Sequence, residues 1–202
     1  MPEPDTEFLE SYLPEKVKTA IIVGASDGRW CKVLSPIAMR VIAIEPNPES
    51  IINLTAIKQP NVEIVGKAAW ITGNHNLPFH VRSEDRSASA LACRDINRSN
   101  GVTSTVEVPT IAIDDLNISD ADLIIVDVEG AELDVLRGAT QTIERCKPDV
   151  MIECHERENR LWLADWLERC GYNLAHVHDA KRNSDDQWGR FVHLIGQYYR
   201  RS

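Results

Sequence analysis

Short apolar runs recur along the chain, and stretches with helical periodicity separate them. Five runs are continuously apolar rather than alternating, which is typical of strands covered on both faces. They are AIIVG (20–24), VIAIE (41–45), VEIVG (62–66), LIIVDVE (123–129) and VMIEC (150–154). Helices are predicted at residues 131 to 145 and at residues 158 to 170. In the second, Trp162, Trp166 and Cys170 lie on one stripe, with Leu163 and Leu167 beside them. This alternation predicts an α/β protein with a parallel sheet and right-handed crossovers.

Two segments break the alternation. Residues 67 to 121 are too long for a plain crossover, and they contain two further strand patterns, NLPFHVR and TSTVEVPTIAI, with a polar loop near 94 to 104. At the end of the chain, NLAHVHD and FVHLIGQYY form a strand pair with no helix between, as an antiparallel edge requires. We therefore predict one domain over residues 1–202, with residues 1–18 as a lead-in and 67–121 as an insertion.

Composition and charge exclude several classes of partner. The net charge of −9 disfavours nucleic acid, because phosphate binding needs clustered Lys and Arg. No apolar run approaches the roughly 20 residues that span a bilayer, and the acidic N-terminus lacks the apolar region of a signal peptide. The five cysteines are odd in number and form no C-x-x-C pair, which predicts reduced thiols and a cytoplasmic protein. No membrane partner is expected.

The first strand continues directly into a glycine turn. Residues 24 to 28, Gly24, Ala25, Ser26, Asp27 and Gly28, have the spacing G-x-x-x-G. Glycine lets the backbone turn tightly and lets a ligand approach, so replacing Gly24 is expected to harm ligand binding more than stability. The helix that follows offers free N–H groups. On its own the pattern is equally typical of an ordinary strand-to-helix turn.

The second strand ends in an acidic residue followed by Pro46 and Asn47. Glu45 lies 21 positions after Gly24, the offset that a β-α-β unit needs. A carboxylate at this position accepts hydrogen bonds from both ribose hydroxyls of an adenosine. The alternative is a solvated carboxylate at the end of a strand.

Further polar residues follow the next two strands. Asp127 and Glu129 end one strand, and Glu153 and His155 end the other, so all of them are expected at the crevice where α/β sheets bind ligands. Asp127 is the better candidate for function, and His155 is either a general base or an ordinary rim histidine. Glu132 is interpreted as a residue that favours the helix N-terminus.

The same strand ends also contain residue types that can bind a metal ion. Asp127, Glu153 and His155 are residue types that ligate metal ions, but their spacing is not diagnostic. No metal is therefore predicted from the sequence.

Six segments together resemble FkbM-type methyltransferases, in which they occur in the same order over about residues 20 to 156. They are VGASDG, IAIEPNP, NVEIVGKAAW, VEVPTIAIDDL, DLIIVDVEGAELDVLRGA and KPDVMIECHE. The resemblance implies the class I methyltransferase (Rossmann-like) fold: a seven-stranded, mostly parallel sheet with helices on both faces and an antiparallel last strand. It also implies S-adenosylmethionine as cofactor and O-methylation of a small hydroxylated acceptor such as a sugar.

The resemblance assigns roles to several positions. It implies that the turn from Gly24 to Gly28 holds the methionine part of the cofactor and that Glu45 binds the ribose. Ala68 and Ala69 would lie near the adenine, and residues 87–91 near the ligand. Asp127 would lie near the reacting end. We take Asp127 and His155 as the candidate catalytic pair.

Two departures from the family pattern keep other readings open. The family usually has Asp two residues before the first glycine of the turn and Lys two residues before the Asp of D-V-E-G; Ile22 and Ile125 stand there. A methyltransferase-like binding module without catalysis is one alternative. Independently of these departures, an NAD-dependent oxidoreductase would share the glycine turn and Glu45, although the G-x-G-x-x-G spacing is missing. The oligomeric state stays open, with a homodimer among the options.

Overall fold

The fold was analysed in a computed structural model of the 202-residue chain. It describes residues 9–94, 101–155, 159–180 and 191–198. Within these ranges, the side chains of residues 175–180, 191–193 and 197–198 are left undescribed.

Seven strands form the main sheet. They are β1 (Val17–Val23), β2 (Ala38–Ile44), β3 (Val62–Val65), β8 (Ala121–Asp127), β9 (Asp149–Cys154), β10 (Tyr172–Ala180) and β11 (Phe191–Tyr198). Their order across the sheet is β10-β11-β9-β8-β1-β2-β3, and every neighbouring pair is parallel except the two that involve β11. The predicted class I methyltransferase architecture, including its antiparallel last strand, is confirmed.

Helices cover both faces of this sheet, as expected from its continuously apolar strands. On one face lie α1 (Arg29–Leu34) and α2 (Pro48–Ala56), and on the other lie α3 (Glu132–Arg137), α4 (Thr140–Cys146) and α5 (Asn159–Arg169). Strand β1 shows how one strand serves both layers. Its Ala20 and Ile22 pack with the first helix pair, while Ile21 and Val23 pack with the other three helices. Both faces of β1 are therefore buried in apolar core.

The antiparallel strand pair at the end of the chain lies at one edge of the main sheet, as predicted, and the last strand is the inner member of that pair. Strand β11 is inserted between β9 and β10, so β10 is the edge. Gly196 and Ile195 of β11 pair with Val150 and Met151 of β9 on one side, and with Leu174 and His176 on the other. A strand pair without a helix predicts antiparallel pairing, but it leaves open which strand joins the rest of the sheet.

The single helix predicted at residues 131 to 145 is two helices, α3 and α4, so that prediction was wrong. The break lies at Gly138, where a side chain would overlap with the carbonyl of Trp70. The Asp114 backbone N–H donates to the Gly138 carbonyl, and the Asp114 carboxylate accepts from the N–H groups of Gln141 and Thr142. A contact distant in the sequence therefore stops one helix and caps the next.

The helix predicted at 158 to 170 is α5, described from Asn159 to Arg169, while residue 158 lies outside the described residues. Its buried stripe differs from the predicted one. Leu163 and Leu167 are fully buried, and Trp166 and Cys170 pack partly against them. Trp162 is 66% exposed. The prediction was therefore wrong for Trp162 alone, because the buried face is centred on the two leucines that were placed beside the stripe.

The region 67–121 adds a second, four-stranded sheet. Its strands are β4 (Ala68–Ala69), β5 (Asn76–Val81), β6 (Ala90–Leu91) and β7 (Ser104–Ile111), in the order β4-β7-β5-β6. Hydrogen bonds from Asn47 to Ser89 and from Ser83 to Glu49 attach this sheet to the start of α2. Part of the predicted polar loop, residues 95–100, lies outside the described residues.

No helix in the described part of the chain is both long and apolar enough to cross a membrane.

Candidate functional site

A cavity lies between the carboxyl ends of β1, β2 and β8 on one side and the second sheet on the other. Ligands in open α/β sheets bind at this end of the strands. The cavity is lined by Val23, Gly24, Ser26, Ile44, Glu45, Pro46, Ala68, Ala69, Phe79, Arg86, Ser87, Ser89, Ala90, Leu91, Asp127, Val128, Glu129 and Ala131. It therefore combines apolar walls with a few carboxylates and hydroxyls, as small-molecule sites do.

Glu45 is held rigidly at the wall of this cavity and is only 5% exposed. One carboxylate oxygen accepts the Ser26 backbone N–H and the other accepts the Asn47 backbone N–H, both at 2.8 Å. Burial raises the pKa of Glu45, while the two backbone hydrogen bonds oppose that rise. Since a carboxylate has about four acceptor positions, each oxygen keeps capacity for a ligand donor.

Gly24 has a positive φ of 82° and follows the end of β1. Its N–H donates to the Ile44 carbonyl at 3.0 Å. A side chain at Gly24 would overlap with the carbonyl oxygen of Asp127 and would lie 3.2 Å from the Val128 side chain. Glycine is thus needed for the contact between two strand ends, so the expectation that its replacement would spare stability is wrong.

The other residues of the glycine turn divide by position. Ser26 lines the cavity, whereas Ala25 is buried in the core beside α1. Asp27 accepts the Arg29 N–H at 3.1 Å, and Gly28, at φ 80°, leaves room for the side chain of Ile57. These three positions therefore shape the turn without lining the cavity.

The other predicted cofactor-binding positions divide between the cavity lining and structural support. Pro46, Ala68 and Ala69 line the cavity. Asn47 does not line it: the fully buried Asn47 side chain accepts the Glu49 N–H at the start of α2 and donates to Ser89. Its geometry is that of a helix N-cap.

Sequence reasoning missed Phe79, which closes the cavity from the second sheet. Nothing in its local pattern distinguishes it from an ordinary strand residue. The segment 87–91, singled out by resemblance, does contribute lining residues to the cavity.

Four carboxylates surround one imidazole beside the cavity; we name this group, Asp127, Glu129, Glu132, Glu153 and His155, the histidine cluster. The imidazole Nδ1 of His155 lies 3.0 Å from Glu132 Oε1. Its Nε2 lies 3.4 Å from Glu129, 3.5 Å from Glu153 and 3.7 Å from Asp127. Both predicted catalytic residues therefore belong to one cluster, although only Asp127 reaches the cavity wall.

Exposure within the cluster is graded. The His155 side chain is 3% exposed and that of Glu132 is fully buried, whereas Asp127 keeps 38% of its side chain accessible. Glu153 and Glu129 are intermediate, at 27% and 14%. The cluster is therefore closed behind the imidazole and open on the side of Asp127.

Burial and neighbouring charges shift the pKa values of several residues in the histidine cluster. Burial lowers the pKa of His155, but the hydrogen bond to Glu132 and the charges of Glu129, Glu132 and Asp127 outweigh it and hold this pKa well above its usual range. Burial, followed by repulsion from Glu153, raises the pKa of Asp127 well above the usual value. Burial raises the pKa of Glu129 as well.

Glu132 does more than favour a helix N-terminus. Its Oε1 accepts the Gly130 N–H at 3.2 Å and contacts both the backbone N–H and the Nδ1 of His155. It ties the loop after β8 to the end of β9. The sequence signal was only its position in the first turn of a helix, so the contact to His155 was missed.

The two departures from the family pattern occupy one place in the structure. Ile22 and Ile125 are register partners on β1 and β8, and both are buried in the core beside α1 and α2. An Asp and a Lys at these positions would face each other across the strands. Because both are isoleucine here, no unpaired charge is left in the core.

The FkbM methyltransferase domain model matches residues 23–174 of this sequence. The chain belongs to the FkbM methyltransferase family. The match covers the glycine turn, Glu45, the cavity-lining residues and the whole histidine cluster. No curated protein sequence matches the chain significantly.

Solved structures share the fold at low sequence identity. Methyltransferase FkbM from Methylobacillus flagellatus KT is 18% identical, with a TM-score of 0.66 over 94% of this chain and 47% of that chain. Precorrin-6y C5,15-methyltransferase from Geobacter metallireducens is 13% identical, with a TM-score of 0.56 over 98% and 90%. A Streptococcus mutans protein in complex with SAH is 14% identical, with a TM-score of 0.57 over 97% and 99%. This chain thus spans about half of the FkbM structure.

Proposed function

We propose that the protein binds S-adenosylmethionine and transfers its methyl group to an oxygen of a small hydroxylated acceptor, such as a sugar. The observation that carries the proposal is Glu45, which lines the cavity with both oxygens anchored by backbone N–H groups. A rigid carboxylate suits the paired hydroxyls of a ribose. Family membership and the SAH held by the Streptococcus mutans protein support the same cofactor.

The remaining cofactor positions fit the cavity walls. Gly24 and Ser26 would bind the methionine part, and the small side chains Ala68 and Ala69 leave space for a flat adenine beside Phe79. Asp127 and Glu129 line the cavity at the carboxyl end of β8, which β1 separates from the Glu45 end of β2. We therefore place the acceptor at that end.

The chemistry required of the protein is small. When bound, the cofactor supplies a methyl group on a positively charged sulfur, and the electron pair of the broken S–CH₃ bond stays on the sulfur. The protein aligns an acceptor hydroxyl with that methyl group, and the hydroxyl oxygen forms the new O–CH₃ bond. A cluster carboxylate takes the released proton, with Asp127 the essential group. His155, behind it, acts as a positioning residue that holds the carboxylates together.

Cofactor affinity provides the first test. Titration calorimetry with S-adenosylmethionine, S-adenosylhomocysteine and NAD should give binding of the first two only. Glu45→Gln should weaken that binding by roughly 10-fold or more, since hydrogen bonds to a charged group contribute about 1.5–3 kcal/mol each. Glu63→Gln, at an exposed carboxylate paired with Arg40, is the matched control. Binding of NAD alone would support the oxidoreductase alternative instead.

Turnover is the second test, in a methyl-release assay against sugars, phenols and hydroxy acids. Asp127→Asn should abolish activity while cofactor binding persists, and His155→Ala should lower activity without abolishing it, as expected of a positioning residue. Full activity in Asp127→Asn would contradict its role. Tight cofactor binding without turnover on any acceptor would favour the non-catalytic alternative.

A further inference from the structure

The histidine cluster has the composition and arrangement of a metal site. Asp127, Glu153 and His155 each offer one donor atom, and all three donor atoms lie within 4.8 Å of one another. Two of them end adjacent parallel strands, as register partners of β8 and β9. The backbone of the sheet, rather than a loose surface, therefore fixes their separation.

The donor spacing fits one ion among the three side chains. His155 Nε2 is 3.5 Å from Glu153 Oε1 and 3.7 Å from Asp127 Oδ1, longer than a good hydrogen bond. Ligands at about 2.1 Å from a tetrahedral Zn²⁺ are separated by about 3.4 Å. The observed separations are close to that value.

His155 is oriented as metal-binding histidines are. Its Nδ1 lies 3.0 Å from Glu132 Oε1, so an Nδ1–H can donate to that carboxylate while Nε2 faces the other three carboxylates. Metal-ligating histidines usually donate their second ring N–H to a carboxylate in this way. The imidazole is 3% exposed, so its orientation is set by packing as well.

The cluster contains more negative charge than its own residues can balance. The side chain of Glu132 is fully buried, and its Oε2 has no hydrogen-bond partner within the described part of the chain. A buried, unpaired carboxylate oxygen is costly unless a positive charge lies nearby. The four carboxylates also exceed the one positive charge that His155 can supply.

We propose that Asp127, Glu153 and His155 bind a divalent transition-metal ion such as Zn²⁺ or Mn²⁺. Glu132 orients His155 through its contact with Nδ1. Three protein ligands leave one position open, as in catalytic metal sites. Asp127 faces the cavity, so the open position lies on the acceptor side. Mixed carboxylate and imidazole ligands suit these ions better than Ca²⁺.

The proposed metal site does not depend on the proposed methyl transfer. The effect of the ion on an acceptor hydroxyl does rest on that proposed function. An acceptor hydroxyl bound at the open position would lose its proton more easily, because a metal ion lowers the pKa of a bound hydroxyl. Asp127 then acts on the acceptor through the ion. Glu129, the other cluster carboxylate at the cavity wall, takes the proton.

Direct metal binding is the test. The full chain is freed of metal with a chelator and titrated with Mn²⁺ by electron paramagnetic resonance and with Zn²⁺ by calorimetry, with Ca²⁺ as the comparison ion. We expect one equivalent of Mn²⁺ or Zn²⁺. Glu153→Gln and His155→Ala should abolish saturable binding, and Glu132→Gln should weaken it roughly 10- to 100-fold. Glu144→Gln, on the exposed face of α4, should leave it unchanged.

Folding and cofactor binding are measured on the same samples. Circular dichroism identifies variants that fail to fold, and Co²⁺ absorption of the wild type reports tetrahedral coordination without any variant. No binding to folded wild type, or equal binding in Glu153→Gln and His155→Ala, would overturn the proposal. S-adenosylmethionine affinity of Glu153→Gln should match the wild type, so loss of the metal site and failure of the proposed function are told apart.

Discussion

Glu45 and the histidine cluster both place buried carboxylates beside the same cavity, yet they are supported in different ways. At Glu45 each carboxylate oxygen receives a backbone N–H at 2.8 Å. In the cluster, four carboxylates share one imidazole, and one oxygen of Glu132 is buried without a partner in the described part of the chain. The carboxylate of Glu45 is therefore satisfied by backbone hydrogen bonds.

The difference indicates two kinds of ligand. Backbone N–H groups hold a carboxylate in position while leaving acceptor capacity for neutral donors such as hydroxyls. A concentration of carboxylates instead favours a cation, because like charges in a buried site repel one another. The two ends of the cavity therefore differ in the charge of the partner they suit.

Gly24 joins the two regions, and its replacement should have the largest effect. Gly24→Ala places a side chain against the Asp127 carbonyl at a positive φ, so the ends of β1 and β8 must separate. We expect a loss of more than about 3 kcal/mol in the free energy of unfolding. Chemical denaturation measures it.

Gly101 offers a matched control for Gly24. It also has a positive φ, of 67°, but no atom of residues 9–94, 101–155, 159–180 or 191–198 lies within 4 Å of an added side chain. Gly101→Ala should cost only about 1–2 kcal/mol of backbone strain. Equal losses in the two variants would contradict the close contact between the strand ends.

Variants of Glu132 test whether its contact with His155 stabilises the protein. Removing one partner of a buried charged pair costs about 3–5 kcal/mol, so Glu132→Ala should lower the free energy of unfolding by an amount of that order. Glu132→Gln keeps an acceptor for His155 and removes one negative charge, and it should cost much less. Thermal unfolding of both variants without added metal checks the prediction. A Glu132→Ala variant as stable as the wild type would show that the contact is dispensable.

The pH dependence of cofactor affinity tests whether the Glu45 carboxylate binds the ribose. Its expected effect is the smallest of those predicted. Burial raises the pKa of Glu45 above its ordinary value of 4.5, so the carboxylate is neutralised at a higher pH than usual. Its ionised form accepts both ribose hydroxyls, and affinity for S-adenosylmethionine should therefore fall as pH falls through the raised value. The decline should be at most about tenfold per pH unit.

Glu45→Gln supplies the comparison for that measurement. The variant has no carboxylate to titrate at this position, so its affinity, although lower, should lack this decline. Calorimetry between about pH 5 and pH 8 compares the two proteins. Parallel curves would assign the titration to another group and remove Glu45 from the ribose site.

Local pattern predicted much of the fold. All five continuously apolar runs became strands of the main sheet, since a strand buried on both faces leaves a strong signal over a few residues. The same pattern did not predict the break at Gly138, because Asp114 and Trp70, which cause it, lie far away in the sequence. Trp162 was misplaced for a similar reason, since the neighbours of a helix decide which stripe is buried.

The residues of the candidate site were likewise predictable only in part. Glu45 and Asp127 could be placed at the cavity because each follows a predicted parallel strand. Asn47 follows β2 and Gly28 follows β1, yet they cap and pack helices rather than line the cavity. Whether a residue near a strand end contacts a ligand or supports its neighbour depends on side-chain direction.

The sequence by itself determined the class of fold, the family and the end of the sheet at which polar residues gather, because strand periodicity and the order of motifs are local properties. Only the tertiary structure decided that Glu132 contacts His155, that Ile22 packs against Ile125 and that Phe79 closes the cavity. Each of these pairings joins segments far apart in the chain. Their distances are set by sheet register and core packing, which no local pattern encodes.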